Sequence, residues 1–126
     1  MPITNFEEIT ETLTEGELMM LPYVKMGFEK FTTKENAIKS DSLCEIINHL
    51  YIMENGFVGD FVPMNGVRLR KFVNYLRKNS ILPVIGVKNG YFVNYQQEEL
   101  ENQIKSLTER ANGILVAAEG LKRFLI

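Results

Sequence analysis

The dipeptide Asn89-Gly90 constrains the fold of this 126-residue chain more than any other feature of its sequence. It separates two apolar and aromatic runs, residues 81–87 and 91–95. A two-residue type I′ turn needs a positive φ at both central positions, and Asn-Gly adopts such angles most readily. We therefore predict a β-hairpin across both runs. Pro83 indicates that the first strand begins late or lies at a sheet edge.

A capping box at Thr14 and Glu17 predicts the start of a first helix, because the threonine hydroxyl can accept the N3 amide while the glutamate reaches back. This helix should extend to about Lys30, and Pro22 should kink or shorten it. The residues before it, 1–13, form an acidic lead-in that we expect to be partly mobile.

A second capping box, Ser42 to Glu45, predicts a second helix that continues to about Met53. Its apolar residues recur at i, i+3, i+4 and i+7, which is typical of one buried helix face; they are Leu43, Ile46, Ile47 and Leu50. Gly56 provides a C-cap. Residues 57–63 are an apolar, glycine-broken linker or a short edge strand.

A third helix is predicted over residues 66–78, with Asn65 as its N-cap. Four apolar side chains with the same periodicity form its core face, namely Leu69, Phe72, Val73 and Leu76. At about 100° per residue, the side chains expected to point away from the core are Lys71, Asn74 and Lys78, flanked by Arg70 and Arg77 on one side and by Arg68 on the other.

Charge is distributed unevenly along the chain. Between Asp60 and Glu98 there is no acidic residue, whereas six basic residues occur there: Arg68, Arg70, Lys71, Arg77, Lys78 and Lys88. The net charge of the whole chain is -2, so the remaining residues carry -8. A local concentration of positive charge is the electrostatic signature of a phosphate-binding surface.

The last segment, residues 96–126, is predicted to be one long helix. Its apolar and small side chains are spaced alternately by four and three, an unbroken heptad seam; they are Leu100, Ile104, Leu107, Ala111, Ile114, Ala118, Leu121 and Leu125. We interpret this seam as a homodimer interface. The alternative is that the helix folds back on its own domain.

The predicted fold is mainly α with one β-hairpin, in the order of a winged helix-turn-helix: three helices, a hairpin as wing, and a long C-terminal helix. The domain organisation expected is a winged-helix domain over residues 1–95 followed by the amphipathic helix 96–126. One domain suits a chain of this length and hydrophobic content.

The sequence also resembles a family of small winged-helix proteins of bacteriophages and prophages. The resemblance rests on Val67 to Arg77, on the Leu82-Pro83 strand, on Gly90-Tyr91-Phe92 and on Glu98 to Glu101. It is closest over residues 66–111 and departs at 51–64, where the link before the third helix is longer than a helix-turn-helix usually has. The resemblance implies a winged-helix fold and a phage or prophage origin.

These features predict a DNA-binding regulator or replication accessory. Helix 66–78 and the wing 81–95 would contact double-stranded DNA through Arg68, Arg70, Lys71, Asn74, Arg77, Lys78, Lys88 and Asn89. The alternatives are a merely solvated helix face and an ordinary connecting hairpin. A different class of function is a protein-interaction module whose acidic surface docks a phage or host replication protein. For Tyr91, Phe92 and Tyr95 we favour a place in the core over stacking on bases.

Other classes of function find little support in the sequence. Cys44 and His49 are the only cysteine and histidine, too few for a zinc site, and Cys44 is expected to be a small buried residue. There is no glycine-rich phosphate loop, so we predict neither an enzyme nor a cofactor. No secretion signal or apolar span is apparent, and a single cysteine suits a reducing cytoplasm, that of the host cell if the protein is phage-encoded.

Overall fold

The computed structural model describes residues 12–56 and 62–125. It is mainly helical, with one two-stranded antiparallel hairpin and a long C-terminal helix. The elements are α1 (Glu15–Leu18), α2 (Leu21–Glu29), a short 3-10 turn (Lys34–Asn36), α3 (Ser40–Asn55), α4 (Gly66–Lys78), β1 (Val84–Val87), β2 (Gly90–Val93) and α5 (Gln97–Lys122). The chain divides into two compact units, Met1–Asn94 and Tyr95–Ile126.

The first predicted helix is in fact two helices. The capping box is confirmed: the Thr14 hydroxyl accepts from the Glu17 amide at 3.1 Å, and Glu17 Oε1 accepts from the Thr14 amide at 2.9 Å. The helix stops after Leu18, and Pro22 lies in the first turn of α2. Proline lacks the amide that an interior helical position must donate but is well suited to a first turn, so it begins a new helix rather than kinking one. Leu13, which we assigned to a mobile lead-in, is buried in the core.

The second predicted capping box is wrong, because α3 already begins at Ser40 and its N-cap, Lys39, makes no side-chain capping bond. The chain just before it is extended and paired to the hairpin at Ile38, so the helix can begin directly after that pairing. The buried face is correspondingly rotated from the predicted one: it consists of Leu43, Cys44, Ile47 and Tyr51, while Ile46 and Leu50 are only half-buried. The C-cap at Gly56 is confirmed, with a φ of 73°.

Helix α4 agrees with the prediction from end to end. The Asn65 side chain caps it by accepting from the Arg68 amide at 2.8 Å, and the four predicted core residues are all buried. The chain leading into α4 is fastened to α3: Asn48 Oδ1 accepts from the Met64 amide at 2.7 Å, and Asn48 Nδ2 donates to the Met64 carbonyl at 3.2 Å. These bonds fix where α4 begins relative to α3. Of the predicted linker before α4, residues 57–61 lie outside the described residues.

The hairpin is confirmed, but its predicted turn is wrong. Val87 pairs with Gly90, so the two loop residues are Lys88 and Asn89 rather than Asn89 and Gly90. Among the described residues Ser80 is the one non-glycine with positive φ, so Asn89 does not adopt the angle that a type I′ turn requires. The positive φ, 138°, falls on Gly90 at the start of β2.

A backbone pairing that the sequence analysis missed explains why glycine is needed there. Ile38 bridges to Tyr91 in antiparallel fashion, with N–H···O bonds of 2.9 and 2.8 Å in the two directions. A Cβ atom at Gly90 would lie 2.0 Å from the Ile38 carbonyl oxygen. The segment before α3 therefore pairs with the edge of β2 at Ile38. At the last residue of β2, the Val93 amide donates to the Phe31 carbonyl at 2.8 Å.

The aromatic residues of the hairpin separate into two groups. Phe92 is fully buried and Tyr91 packs against the core, where its ring meets that of Phe28 at 5.9 Å. Tyr95 is 73% exposed, so the expectation of a core position is wrong for this residue. It lies just beyond β2, at the first residue of the second unit.

The second unit is the single helix α5, which ends at Lys122. The heptad seam is helical from Leu100 to Leu121, whereas Leu125 lies beyond the helix end. Most of the large seam residues are exposed, Ile104 by 61% and Leu121 by 68%, whereas Leu100 is half-buried.

Candidate nucleic-acid interface

The predicted DNA-contacting residues lie on α4 and on the turn between β1 and β2. Helix geometry arranges those of α4 in rows. Arg70, Asn74 and Lys78 are four residues apart and form one row along the helix, which we call the outer row. Arg68 and Lys71 lie to one side of it, and Arg77 lies to the other. The structure gives these three groups different partners.

Arg68 and Lys71 converge on one carboxylate. Glu17 of α1 accepts from Arg68 Nε at 3.0 Å through Oε2, and from Lys71 Nζ at 2.9 Å through Oε1. The Glu17 side chain is only 6% exposed, and that of Lys71 only 12%. We call these three residues the Glu17 cluster. Arg68 also donates through Nη1 to the Pro63 carbonyl at 2.6 Å.

The environment of Glu17 keeps it ionised. Burial by itself raises the pKa of the carboxyl group, but hydrogen bonds from the Thr14 amide, Lys71 and Arg68 outweigh that effect and lower the pKa to about 2. One side chain thus closes the capping box of α1 and neutralises charge on α4. Charge-assisted hydrogen bonds therefore join α1 and α4, although the two helices are far apart in the sequence.

The expectation that Lys71 points away from the protein is therefore wrong. Its ammonium group faces α1 and is satisfied there by two carboxylate contacts, of 2.9 and 3.1 Å. Arg68, which is 29% exposed, shares the same carboxylate. The charges of both Arg68 and Lys71, two of the eight residues predicted to bind DNA, are therefore compensated by Glu17.

Arg77 has a positioning contact with the hairpin. Its Nε donates to the carbonyl of Val84 at 3.0 Å, which ties the last turn of α4 to the start of β1. Its guanidinium also lies beside the backbone of Gly86, where an added Cβ would be 3.4 Å from Arg77 Nη2. This contact of the half-buried Arg77 side chain helps to position the hairpin relative to α4.

The remaining predicted residues face outward. Lys78, Lys88 and Asn89 are exposed, and Arg70 and Asn74 are half-buried. Within residues 12–56 and 62–125, no acid forms an ion pair with Arg70, Lys78 or Lys88. The outer row, together with the turn at Lys88-Asn89, is thus the part of the acid-free segment whose charge faces solvent. We call this set the basic surface.

The link that Glu17 makes between α1 and α4 is the feature of this site that sequence reasoning missed. The capping box identified it, but only as a local partner of Thr14. Its ion pairs reach Arg68 and Lys71, which are 51 and 54 positions away along the chain, and no local pattern reports such a distance.

Cys44 has the structural role expected of it. It is buried in the core, and burial raises the pKa of its thiol, so the group stays protonated and inert at neutral pH. His49 is exposed on α3. In the described ranges, no group of histidine, cysteine, aspartate and glutamate side chains is placed to hold a metal ion. None of the helices in those ranges has both the length and the apolar character needed to cross a bilayer.

Comparison with known proteins identifies no relative. No protein-family model matches the chain, and neither a curated protein nor a solved structure matches it.

Proposed function

We propose that this chain is a winged-helix DNA-binding protein. In this assignment α2, α3 and α4 are the three helices, and β1–β2 is the wing. The pairing of Ile38 with Tyr91 supports it, because a short strand between the first two helices that joins the hairpin is a feature of winged-helix sheets. One departure is that the ten residues 56–65 separate α3 from α4, whereas a helix-turn-helix usually has a turn of about 3–4 residues.

The basic surface is the observation that carries the proposal. A helix whose outer row reads Arg, Asn, Lys, followed by a turn with Lys and Asn, offers cations to phosphates and amide groups to base edges. Arg70 and Asn74 are side chains of the kinds that bind guanine and adenine with two hydrogen bonds. The Glu17 cluster stays outside the contact and holds α4 in place behind it.

The biological setting is part of the same proposal. The sequence resemblance over residues 66–111 supports a phage or prophage protein that acts on DNA in a host cytoplasm, as a transcriptional regulator or a replication accessory. Self-association through α5 would bring two basic surfaces to one duplex, and this is how helix-turn-helix proteins generally gain affinity and half-site selectivity.

Binding of a fluorescent random duplex at low salt tests the proposal. The Lys78→Ala/Lys88→Ala variant removes two exposed cations of the basic surface and should weaken binding about tenfold or more. Lys30→Ala/Lys34→Ala is the matched control, since it removes two exposed lysines from outside the acid-free segment and should bind like wild type. Equal losses in both variants would indicate nonspecific attraction. No binding by the wild-type protein would contradict the proposal and would favour a protein-interaction role.

A further inference from the structure

The spacing of the α5 seam is symmetric about its middle. The midpoint of the seam from Leu100 to Leu125 lies between Asn112 and Gly113. Every seam residue has a counterpart at the same distance on the other side of this midpoint. Within the helix these counterparts are Ile104 with Leu121, Leu107 with Ala118, and Ala111 with Ile114. A second α5 that runs in the opposite direction can therefore place seam residue against seam residue in every layer.

Side-chain size favours this opposite direction. In an antiparallel pair, each seam alanine faces a large residue: Ala111 faces Ile114, and Ala118 faces Leu107. In a parallel pair in register, Ala111 would face Ala111 and Ala118 would face Ala118, next to layers made of two large residues. Facing large against small residues gives the central layers of the pair a similar width, which reduces voids between the two helices.

Charge favours the same arrangement. Glu101 and Lys122 each directly follow a seam leucine, so both border the seam on the same side. They lie on opposite sides of the midpoint and at similar distances from it. In the antiparallel pair Glu101 of one copy lies opposite Lys122 of the other, and the contact occurs twice. In a parallel pair the facing positions are Gln103 with Thr108, Arg110 with Leu115, and Ala117 with Lys122, none of which combines opposite charges.

Both charged side chains are accessible for this contact. Lys122 now donates to Glu119 at 2.9 Å, with 64% and 69% of the two side chains exposed. Glu101 accepts from Gln97 at 2.9 Å in an exposed hydrogen bond. Exposed contacts of this kind have small net free energies and can exchange for an intermolecular partner.

We propose that α5 pairs with α5 of a second copy of this chain in antiparallel orientation, centred between Asn112 and Gly113. This extends the dimer named in the proposed function and fixes its direction. At 1.5 Å per residue, the two copies of Gln97 then lie roughly 46 Å apart along the pair. A parallel pair would place them side by side, at about the 8–10 Å spacing of packed helices. The two N-terminal units are therefore joined to opposite ends of the pair.

Disulfide trapping distinguishes the orientations. In a Cys44→Ala background, Ile104→Cys and Leu121→Cys are made as separate proteins and oxidised alone and after mixing. The antiparallel pair predicts a disulfide-linked dimer in the mixture and little in either protein alone, because position 104 of one copy meets position 121 of the other. Cross-linking of each protein alone without cross-linking between them would show a parallel pair and overturn the proposal. A monomer by sedimentation equilibrium with no cross-link in any sample would also overturn it.

A charge exchange tests the pairing without introducing cysteines. Glu101→Lys and Lys122→Glu should each raise the dissociation constant of the dimer, roughly two- to tenfold, since each places like charges opposite one another. The double variant should restore the wild-type value. Failure of the double variant to recover would contradict the antiparallel contact. Neither experiment contains DNA, so a failure here is separate from a failure of the proposed DNA binding.

Discussion

Lys71 and Lys78 are the same residue type on the same helix, seven positions apart, yet their environments are opposite. Two turns of α4 bring them to nearly the same face. Lys71 is 12% exposed and lies 2.9 Å from a Glu17 oxygen, whereas Lys78 is exposed to solvent. The difference arises because Glu17 of α1 pairs with Lys71 but not with Lys78. Formal charge in a sequence therefore differs from charge that a ligand can reach.

The contrast extends to the functions of the two parts of α4. The part bonded to Glu17 has a structural role, because its cations complete the capping and packing of α1. The outer row and the hairpin turn keep their charge toward solvent and carry the proposed DNA contact. A variant that removes the Glu17 pairing should therefore leave the charge of the outer row unchanged, and a variant of the outer row should leave the Glu17 pairing intact.

The largest expected effect is that of Glu17→Ala. It removes the acceptor shared by Thr14, Arg68 and Lys71 and leaves a nearly buried ammonium group unpaired. We expect the free energy of unfolding, measured by urea titration, to fall by about 3 kcal/mol. Glu119→Ala is the control, because it breaks an exposed ion pair and should change stability by less than about 0.5 kcal/mol. Similar losses in the two variants would contradict a structural role for the Glu17 cluster.

An acid titration tests the same cluster. The pKa of Glu17 is lowered from 4.5 to about 2 in the folded protein. Its contribution is therefore fully present above pH 4.5 and is lost as the pH falls toward 2. It amounts to about 3 kcal/mol at neutral pH. Unfolding free energies of wild type and Glu17→Gln should differ at pH 7 and converge on acidification. A gap that stays constant down to pH 2 would show that the ionised carboxylate is not what stabilises the fold.

The opposite side of α4 can be disturbed through the hairpin. Gly90→Ala places a Cβ atom against the Ile38 backbone, at 2.0 Å from its oxygen and 2.4 Å from its carbonyl carbon. Backbone atoms cannot move aside as a flexible side chain can. We therefore expect the free energy of unfolding to fall by about 2 kcal/mol and DNA binding to weaken. The pH dependence of the unfolding free energy that Glu17 causes should be unchanged in the Gly90→Ala variant.

Gly113→Ala is the control for this substitution. It lies in a helix with no heavy atom within 4 Å of the added Cβ, and it should stabilise α5 by up to about 1 kcal/mol. Wild-type stability in Gly90→Ala would mean that β2 does not pack closely on the Ile38 segment.

The sequence predicted those parts of the fold whose signals are local. Helix α4 follows from the Asn65 cap and from four apolar residues at helical spacing, both of which lie within its own residues. The strands of the hairpin follow from two apolar runs around a turn. In each of these elements neighbouring residues cooperate, so a short window contains the information.

The missed features depend on contacts between distant residues. The Ile38 bridge involves a single residue, which has no periodicity, and it changes both the start of α3 and the geometry at Gly90. The pairing of Glu17 with Lys71 joins residues 54 positions apart, so Lys71 looked available when only its own helix was considered. DNA binding and dimer formation remain predictions, because each depends on a second molecule.

The most direct test of this account compares the salt dependence of duplex binding for two matched variants, Lys71→Met and Lys78→Met. Each removes one ammonium group from α4 and keeps an unbranched side chain. Each phosphate contact adds about 0.9 to the slope of log K against log salt for duplex DNA. We predict that Lys78→Met lowers the slope by about one unit and that Lys71→Met leaves it unchanged. Equal losses of slope, or a loss in Lys71→Met alone, would contradict the assignment of the two lysines to different roles.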